Sequence, residues 1–177
     1  MKRLGFALVF LMVLFASPVF ASATDHGNGA IGFHHSDAPI GIRWWFGTEQ
    51  KMALDLGIGI SSSDAGEDRL TDFALDAGLP ILIKTWDRVH SIFRPGILYT
   101  SEAFVLAGET DRGSTISIVG ELEAEVFVTD NFSVSASHGL AIEINSPPGE
   151  NVDSSTNFGT FGVNLTEIGF HLYGLWE

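Results

Sequence analysis

The chain contains no cysteine. That excludes disulfides, thiolate-bound metals and a lipid attached to an N-terminal cysteine of a processed chain. Positive charge is scarce: nine Lys and Arg stand against 22 Asp and Glu, a formal charge of −13. So acidic a protein repels phosphate backbones, which excludes nucleic acid as a partner. Beyond the first residues no apolar run approaches the roughly 20 residues of a membrane-spanning helix. Helical periodicity is missing as well, because glycine is scattered throughout and the apolar residues recur at a spacing near two. Phosphate-loop, dinucleotide-binding and zinc-protease motifs are also absent.

What is present begins at the N-terminus. Lys2 and Arg3 precede a short apolar run, Leu4 to Phe15, which is followed by Pro18 and Ala21-Ser22-Ala23. A positive start, a short apolar core and a small-x-small site describe a secretory signal peptide over residues 1–23. The processed chain then begins at Thr24, and 24–177 is long enough for one domain. Without Lys2 and Arg3 its formal charge is −15, because all 22 acids lie after residue 23.

Eight extended segments follow, at about 29–35, 39–47, 51–60, 70–83, 88–104, 115–128, 131–145 and 156–176. The upper part of the last, Thr156 to Val163, reads as loop or as an extension. The connections alternate in length. Gly47 to Gln50, Lys84 to Asp87 and Val128 to Asp130 are tight; Ser61 to Arg69, Val105 to Ser114 and Ser146 to Ser155 are longer and polar. Short turns at one end and long loops at the other characterise an up-and-down barrel of the bacterial outer membrane. The short first loop, Ser36 to Ala38, departs from the pattern.

Within the segments, apolar side chains alternate with small or acidic ones. Met52, Leu54, Leu56, Ile58 and Ile60 oppose Ala53, Asp55, Gly57 and Gly59. Phe73, Leu75, Ala77 and Leu79 oppose Asp72, Asp76 and Gly78, and Ile116, Ile118, Leu122 and Val126 oppose Ser117, Glu121, Glu123 and Glu125. A soluble lipocalin-like barrel with an apolar interior gives the same alternation. Two features favour the opposite sense. The polar face is built from Gly, Ala, Ser and acids, which suit the narrow interior of eight strands, and Lys51 and Lys84 sit at turns. The tryptophans gather at the short-turn end: Trp44, Trp45, Trp86 and Trp176, joined by Phe46, Phe127, Phe132 and Tyr173, read as an interfacial aromatic girdle.

Strand number, signal peptide, turn asymmetry and the last strand, "IGFHLYGLWE", resemble the small eight-stranded outer-membrane barrels, the OmpA/OmpX-like transmembrane family. The resemblance covers essentially all of residues 24–177. It implies an all-β, eight-stranded antiparallel up-and-down transmembrane barrel in the outer membrane of a Gram-negative cell. Its neighbours would be outer-membrane lipid and lipopolysaccharide. The barrel-insertion machinery would read the C-terminal strand near Trp176, which Glu177 follows. The role implied is structural or surface-interactive, with no enzyme activity, cofactor or metal, and the surface partner is open.

By parity the lumen receives Arg43 and Arg94 with Asp55, Asp72, Asp76, Glu121, Glu123, Glu125 and Glu143. Counting outward from the first tight turn puts Arg43 across from Asp55. A register pairing Phe104 with Thr115 puts Arg94 across from Glu125, within reach of Glu123. Buried charges must be paired, so the expectation is an ionic plug, with a proton or cation path as its sharper alternative. His34-His35 with Asp37 is a weak metal motif. His26 carries no assigned role, and His138 points toward lipid unless a bulge near Ser137-His138-Gly139 re-aims it. Loop acids (Asp64, Glu67, Asp68, Glu109, Asp111, Glu150, Asp153) read as solvated charge. Two alternative functions remain: a lipid A acyl-modifying enzyme, for which a His-x-Ser pattern is missing, and a soluble periplasmic ligand carrier.

Overall fold

Alternating side chains over eight segments dictate strands with two unlike faces, and that is how the chain folds. A computed structural model describes residues 27–33, 35–46, 50–65, 68–106, 109–149, 152–159 and 166–174. The expected signal peptide, His26, His34 and Trp176 lie outside the described residues, as do Glu67 and Glu150. The strands are β1 (Gly29–Phe33), β2 (Ile40–Phe46), β3 (Met52–Ala65), β4 (Asp68–Gly78), β5 (Ile81–Trp86), β6 (Val89–Leu106), β7 (Glu109–Phe127), β8 (Phe132–Ser146), β9 (Ser155–Gly159) and β10 (Thr166–Tyr173). No helix occurs among the described residues.

Ten elements make eight staves. β4 and β5 run in one register along β3 and are parted only by Leu79 and Pro80. Pro80 lacks an N–H, yet its carbonyl still accepts from Ala53, and Leu79 donates to Pro95 on β6. β9 and β10 both line β8, pairing with its upper and lower halves respectively. Antiparallel pairing of β10 with β1, from Ala30↔Tyr173 to Phe33↔Phe170, closes the sheet. The result is the closed eight-stranded antiparallel barrel expected from the sequence.

The pairing also fixes the slope of the strands. Directly opposed residues run from Ile31 through Ile42, Leu56, Ala77, Ile97 and Ile118 to Ile142. The closing pairs run from Val134 to Phe170 and from Phe170 to Phe33. Val134 is eight residues before Ile142 and Phe33 is two after Ile31, so the circuit returns ten residues out of step. For eight strands this stagger corresponds to a tilt of roughly 40° and an interior just wide enough to be filled by side chains.

Two expected loops are largely strand. The β3–β4 ladder continues to Ala65↔Asp68, and the β6–β7 ladder to Leu106↔Glu109. Ser61, Ser62 and Ser63 are all exposed there, so no apolar alternation marks them as strand. The expected pairing of Phe104 with Thr115 is also corrected: Phe104 opposes Asp111, and Thr115 opposes Thr100. No bulge interrupts β8 at Ser137-His138-Gly139, since β7 and β8 keep one register from Ser114↔Ser146 to Phe127↔Ser133. The irregularity falls instead in β5, between Leu82 and Lys84.

Candidate functional site

The interior is stacked in three levels. At the short-turn end, Ala30, Trp45, Ala53, Ile92, Phe127 and Tyr173 form a dry cluster with Leu82 against it. Here the expected girdle divides. Trp44, Phe46 and Trp86 are exposed on the outside and Phe132 is half-buried there, its ring tilted against that of Phe170. Trp45, Phe127 and Tyr173 point inward instead: Trp44 is 52 % exposed while its neighbour Trp45 is 1 % exposed. Strand parity is the cause. Trp45 shares a face with Arg43, and Phe127 shares one with Glu121, Glu123 and Glu125.

Above this cluster lies the ionic core. Arg43 faces Asp55 across the β2–β3 ladder, and its Nε and Nη2 donate to Asp55 Oδ1 and Oδ2, both at 2.9 Å. Its Nη1 and Nη2 donate to Glu123 Oε1 and Oε2, again at 2.9 Å, and Nη1 also reaches Glu125 Oε2 at 3.3 Å. A guanidinium has five N–H donors, and Arg43 uses all five on carboxylates. Arg94 donates from Nε to Asp55 Oδ2 at 2.9 Å, from Nη1 to Glu121 Oε2 at 2.9 Å, and from Nη2 to Asp76. Asp55 therefore bridges the two arginines. Gly78 leaves the room Arg94 needs, because a Cβ there would lie 2.4 Å from its Cζ.

Arg94 is thus paired with Glu121 and not with Glu125 as expected from sequence, because the β6–β7 register differs by four residues. Glu125 is a hub of its own. Its Oε1 accepts from Ser133 at 2.6 Å and from the Tyr173 hydroxyl at 2.8 Å, and lies 3.1 Å from His171 Nδ1. His90 Nδ1 is 3.9 Å from its other oxygen. Two expected members stand apart from the arginines: Asp72 accepts from the Ala103 amide at 2.8 Å, and Glu143 is half-buried opposite Ser117.

The third level is the β1–β2 turn, which folds into the upper mouth. Ala38 is fully buried and packs with Ala74 and Leu98. Gly59 admits this turn: a Cβ there would lie 1.8 Å from the Asp37 carbonyl oxygen. His35 and Ser36 close over Glu167, with Ser36 Oγ donating to Oε1 at 3.0 Å and His35 Nε2 at 3.7 Å from it. A small void lined by Arg43, Arg94, Glu121, Glu123, Ser135, Ser137, Glu167, Gly169 and His171 has room for about one water.

His35, His90, His171, Ser133, Ser137 and Glu167 belong to this core, though the charge count alone did not select them. For His90, His171, Ser133, Ser137 and Glu167 the signal was available, because each falls on its strand's inward parity; His35 lies in the turn, where parity gives none. Glu123, Glu125 and His171 each offer a donor atom within 4.8 Å of the others, a spacing a metal could use. Arg43 already bonds both carboxylates, and its fixed positive charge between them opposes a cation. His35 directs Nδ1 at the Asp37 amide (3.1 Å), so it contributes to the turn. His138 does face outward, with Nδ1 2.7 Å from Thr166 Oγ1.

Chemically the arrangement can lock the wall strands to one another and fill the lumen. The chain matches no protein-family model, no curated protein and no solved structure.

Proposed function

We propose that this chain is a non-enzymatic β-barrel of the bacterial outer membrane, exported through a signal peptide, with a structural or surface-interaction role. The resemblance to OmpA/OmpX-like barrels and the inverted distribution of side chains support this together. The inversion carries the reading: Leu54, Leu56, Ile58, Leu75, Ile97, Ile118, Leu140 and Ile168 are exposed, while Arg43, Asp55, Arg94 and Glu125 are buried. In water that distribution is unfavourable twice over. In hydrocarbon the outer aliphatics are solvated, and the closed ladder pairs backbone groups from strand to strand.

The apolar band has suitable dimensions. It runs from Met52 to Ile60 on β3 and from Ile116 to Val128 beyond the end of β7. At about 3.3 Å per residue and a tilt of roughly 40°, that is about 20–30 Å, bracketing the roughly 25 Å of known outer-membrane barrels. Trp44, Phe46 and Trp86 lie at its lower edge, where Lys84 Nζ sits 4.7 Å from the Trp86 ring centroid. Phe73 and Tyr99, 5.6 Å apart, lie at its upper edge.

The interior argues against the other readings. A carrier of apolar ligands needs an apolar cavity, whereas this lumen is charged in the middle and closed by aromatic rings below. A wide pore needs roughly 16 strands. The acyl-modifying enzyme has one observation in its favour, the His138–Thr166 pair on the outer face. A nucleophile of that kind also needs the base oriented by a third group, and no described carboxylate contacts His138.

Subcellular fractionation tests the reading. The protein is expected in carbonate-washed outer membranes, with a gel mobility that shifts on heating; recovery in the soluble periplasm overturns it. Lipid A mass spectra with and without expression are expected to be identical, and a lost or moved acyl chain would establish the enzyme instead.

A further inference from the structure

The seven Lys and Arg after residue 23 are distributed unevenly. Arg43 and Arg94 are in the lumen, while Lys51, Lys84 and Arg88 are at the short-turn end. The remaining two, Arg69 and Arg112, both face outward just above the apolar band. Arg69 shares its side of β4 with Thr71, Phe73 and Leu75, and Arg112 shares its side of β7 with Ile116 and Ile118. Arg112 pairs with Ala103, two residues above Ser101 on β6, and Thr71 stands two residues above Phe73 on β4. That height is about 5 Å beyond the aromatic edge of the band at the tilt deduced above. Lipid phosphates lie at that level in a bilayer.

The two guanidiniums are anchored on one rung of the β3–β4 ladder, Ser62↔Thr71. Arg112 reaches across β6, donating from Nη1 to Ser101 Oγ at 3.2 Å and from Nη2 to the Thr71 carbonyl at 3.0 Å, two residues from Arg69. Arg69 donates from Nε to Ser62 Oγ at 2.9 Å on the other flank of β4. These bonds orient each planar fork while using one of five N–H donors on Arg69 and two of five on Arg112. Asp64 stands across from Arg69 in register, but Arg69 Nε turns to Ser62. In a chain of formal net charge −13, two oriented outward arginines at one level above the aliphatic band are complementary to an anion held at the membrane surface.

We propose that Arg69 and Arg112 form a docking patch for the phosphate of a phosphorylated glycolipid in the surrounding outer leaflet, an inference that rests on the membrane reading above. Ser62 and Ser101 position the two guanidiniums, and the Phe73–Tyr99 pair meets the upper part of the acyl chains.

The test uses the refolded processed chain in detergent, with native mass spectrometry counting bound lipid A. Bisphosphorylated lipid A is expected to bind about ten-fold more tightly than the dephosphorylated form. An Arg69→Gln/Arg112→Gln double variant is expected to lose that preference, Asp64→Asn to strengthen it, and Lys51→Gln/Lys84→Gln to leave it unchanged. Equal binding of the two lipids, or retention of the preference by the double variant, overturns the patch. Competition by inorganic phosphate at the same concentration would assign the patch to free anions and also overturn the proposal. Insertion of the wild type into phosphatidylcholine vesicles separates the two readings. A barrel that inserts but does not discriminate sinks only the patch, and one that stays outside the vesicles sinks both.

Discussion

Arg43 and Asp55 face each other across the β2–β3 ladder and meet through two parallel hydrogen bonds of 2.9 Å. The same guanidinium grips Glu123 from the far side of the lumen in the same bidentate way. Arg43 thereby ties β2 and β3 to β7, strands that are not neighbours in the barrel wall. Removing it leaves three buried carboxylates short of their shared cation, a loss of about 3–5 kcal/mol for a broken buried pair. Arg43→Ala is expected to lower the unfolding free energy of the vesicle-inserted barrel by that amount, read as a lower urea midpoint. Arg69→Ala, at an exposed site, is expected to cost less than about 1 kcal/mol. Equal midpoints would refute the lock.

Glu125 offers a second, independent reading of the core. Glu125→Ala deprives Ser133, Tyr173 and Arg43 of one acceptor at once and removes the carboxylate beside His171. The expected destabilisation is about 3 kcal/mol or more. Glu143→Ala, half-buried and away from both arginines, is expected to stay near 1 kcal/mol or below. The pair of unfolding curves checks whether the network or mere lumen charge stabilises the barrel.

The inward β1–β2 turn predicts a local effect. Gly59→Val puts a side chain where the Asp37 carbonyl now lies, so the turn must leave the mouth. Limited proteolysis and hydrogen exchange at 35–38 are expected to accelerate while the barrel stays closed. Gly120→Ala, whose Cβ would meet nothing nearer than 3.7 Å, is the matched control and is expected to behave as wild type. Unchanged protection of the turn in Gly59→Val would contradict its seat in the lumen.

The dry cluster at the short-turn end predicts an asymmetry between adjacent residues. Trp45→Ala opens a cavity among Phe127, Tyr173 and Ile92 and is expected to cost about 3–5 kcal/mol. Trp44→Ala removes an outer ring and is expected to cost far less. Comparable losses from both would mean that the inner cluster is not packed as described.

Much of this was legible in the sequence, and the failures share a physical origin. Parity alone identified which side chains face inward, because a strand has a period of two. The β6–β7 register differs from the sequence expectation by four residues, an even number, so every side chain keeps its face while Arg94 meets Glu121 in place of Glu125. The polar rungs above the barrel carry no apolar alternation, and Ser61 to Ser63 therefore read as loop. The level of an aromatic residue along the barrel does not fix its side of the wall; parity does, and it turns Trp45, Phe127 and Tyr173 inward. The His35 turn could not be foreseen from β-patterning, since its place in the lumen depends on the absent side chain of Gly59.

Trp44 and Trp45 are neighbours in sequence that point to opposite sides of the wall, which makes them the most direct probe of the bilayer assignment. Single-tryptophan variants, with the other three indoles replaced by phenylalanine, would be refolded into vesicles containing phosphatidylcholine brominated along its acyl chains. Strong quenching of Trp44 fluorescence with Trp45 nearly untouched is the predicted result. Quenching of Trp45 as deep as that of Trp44, or of neither, would contradict it.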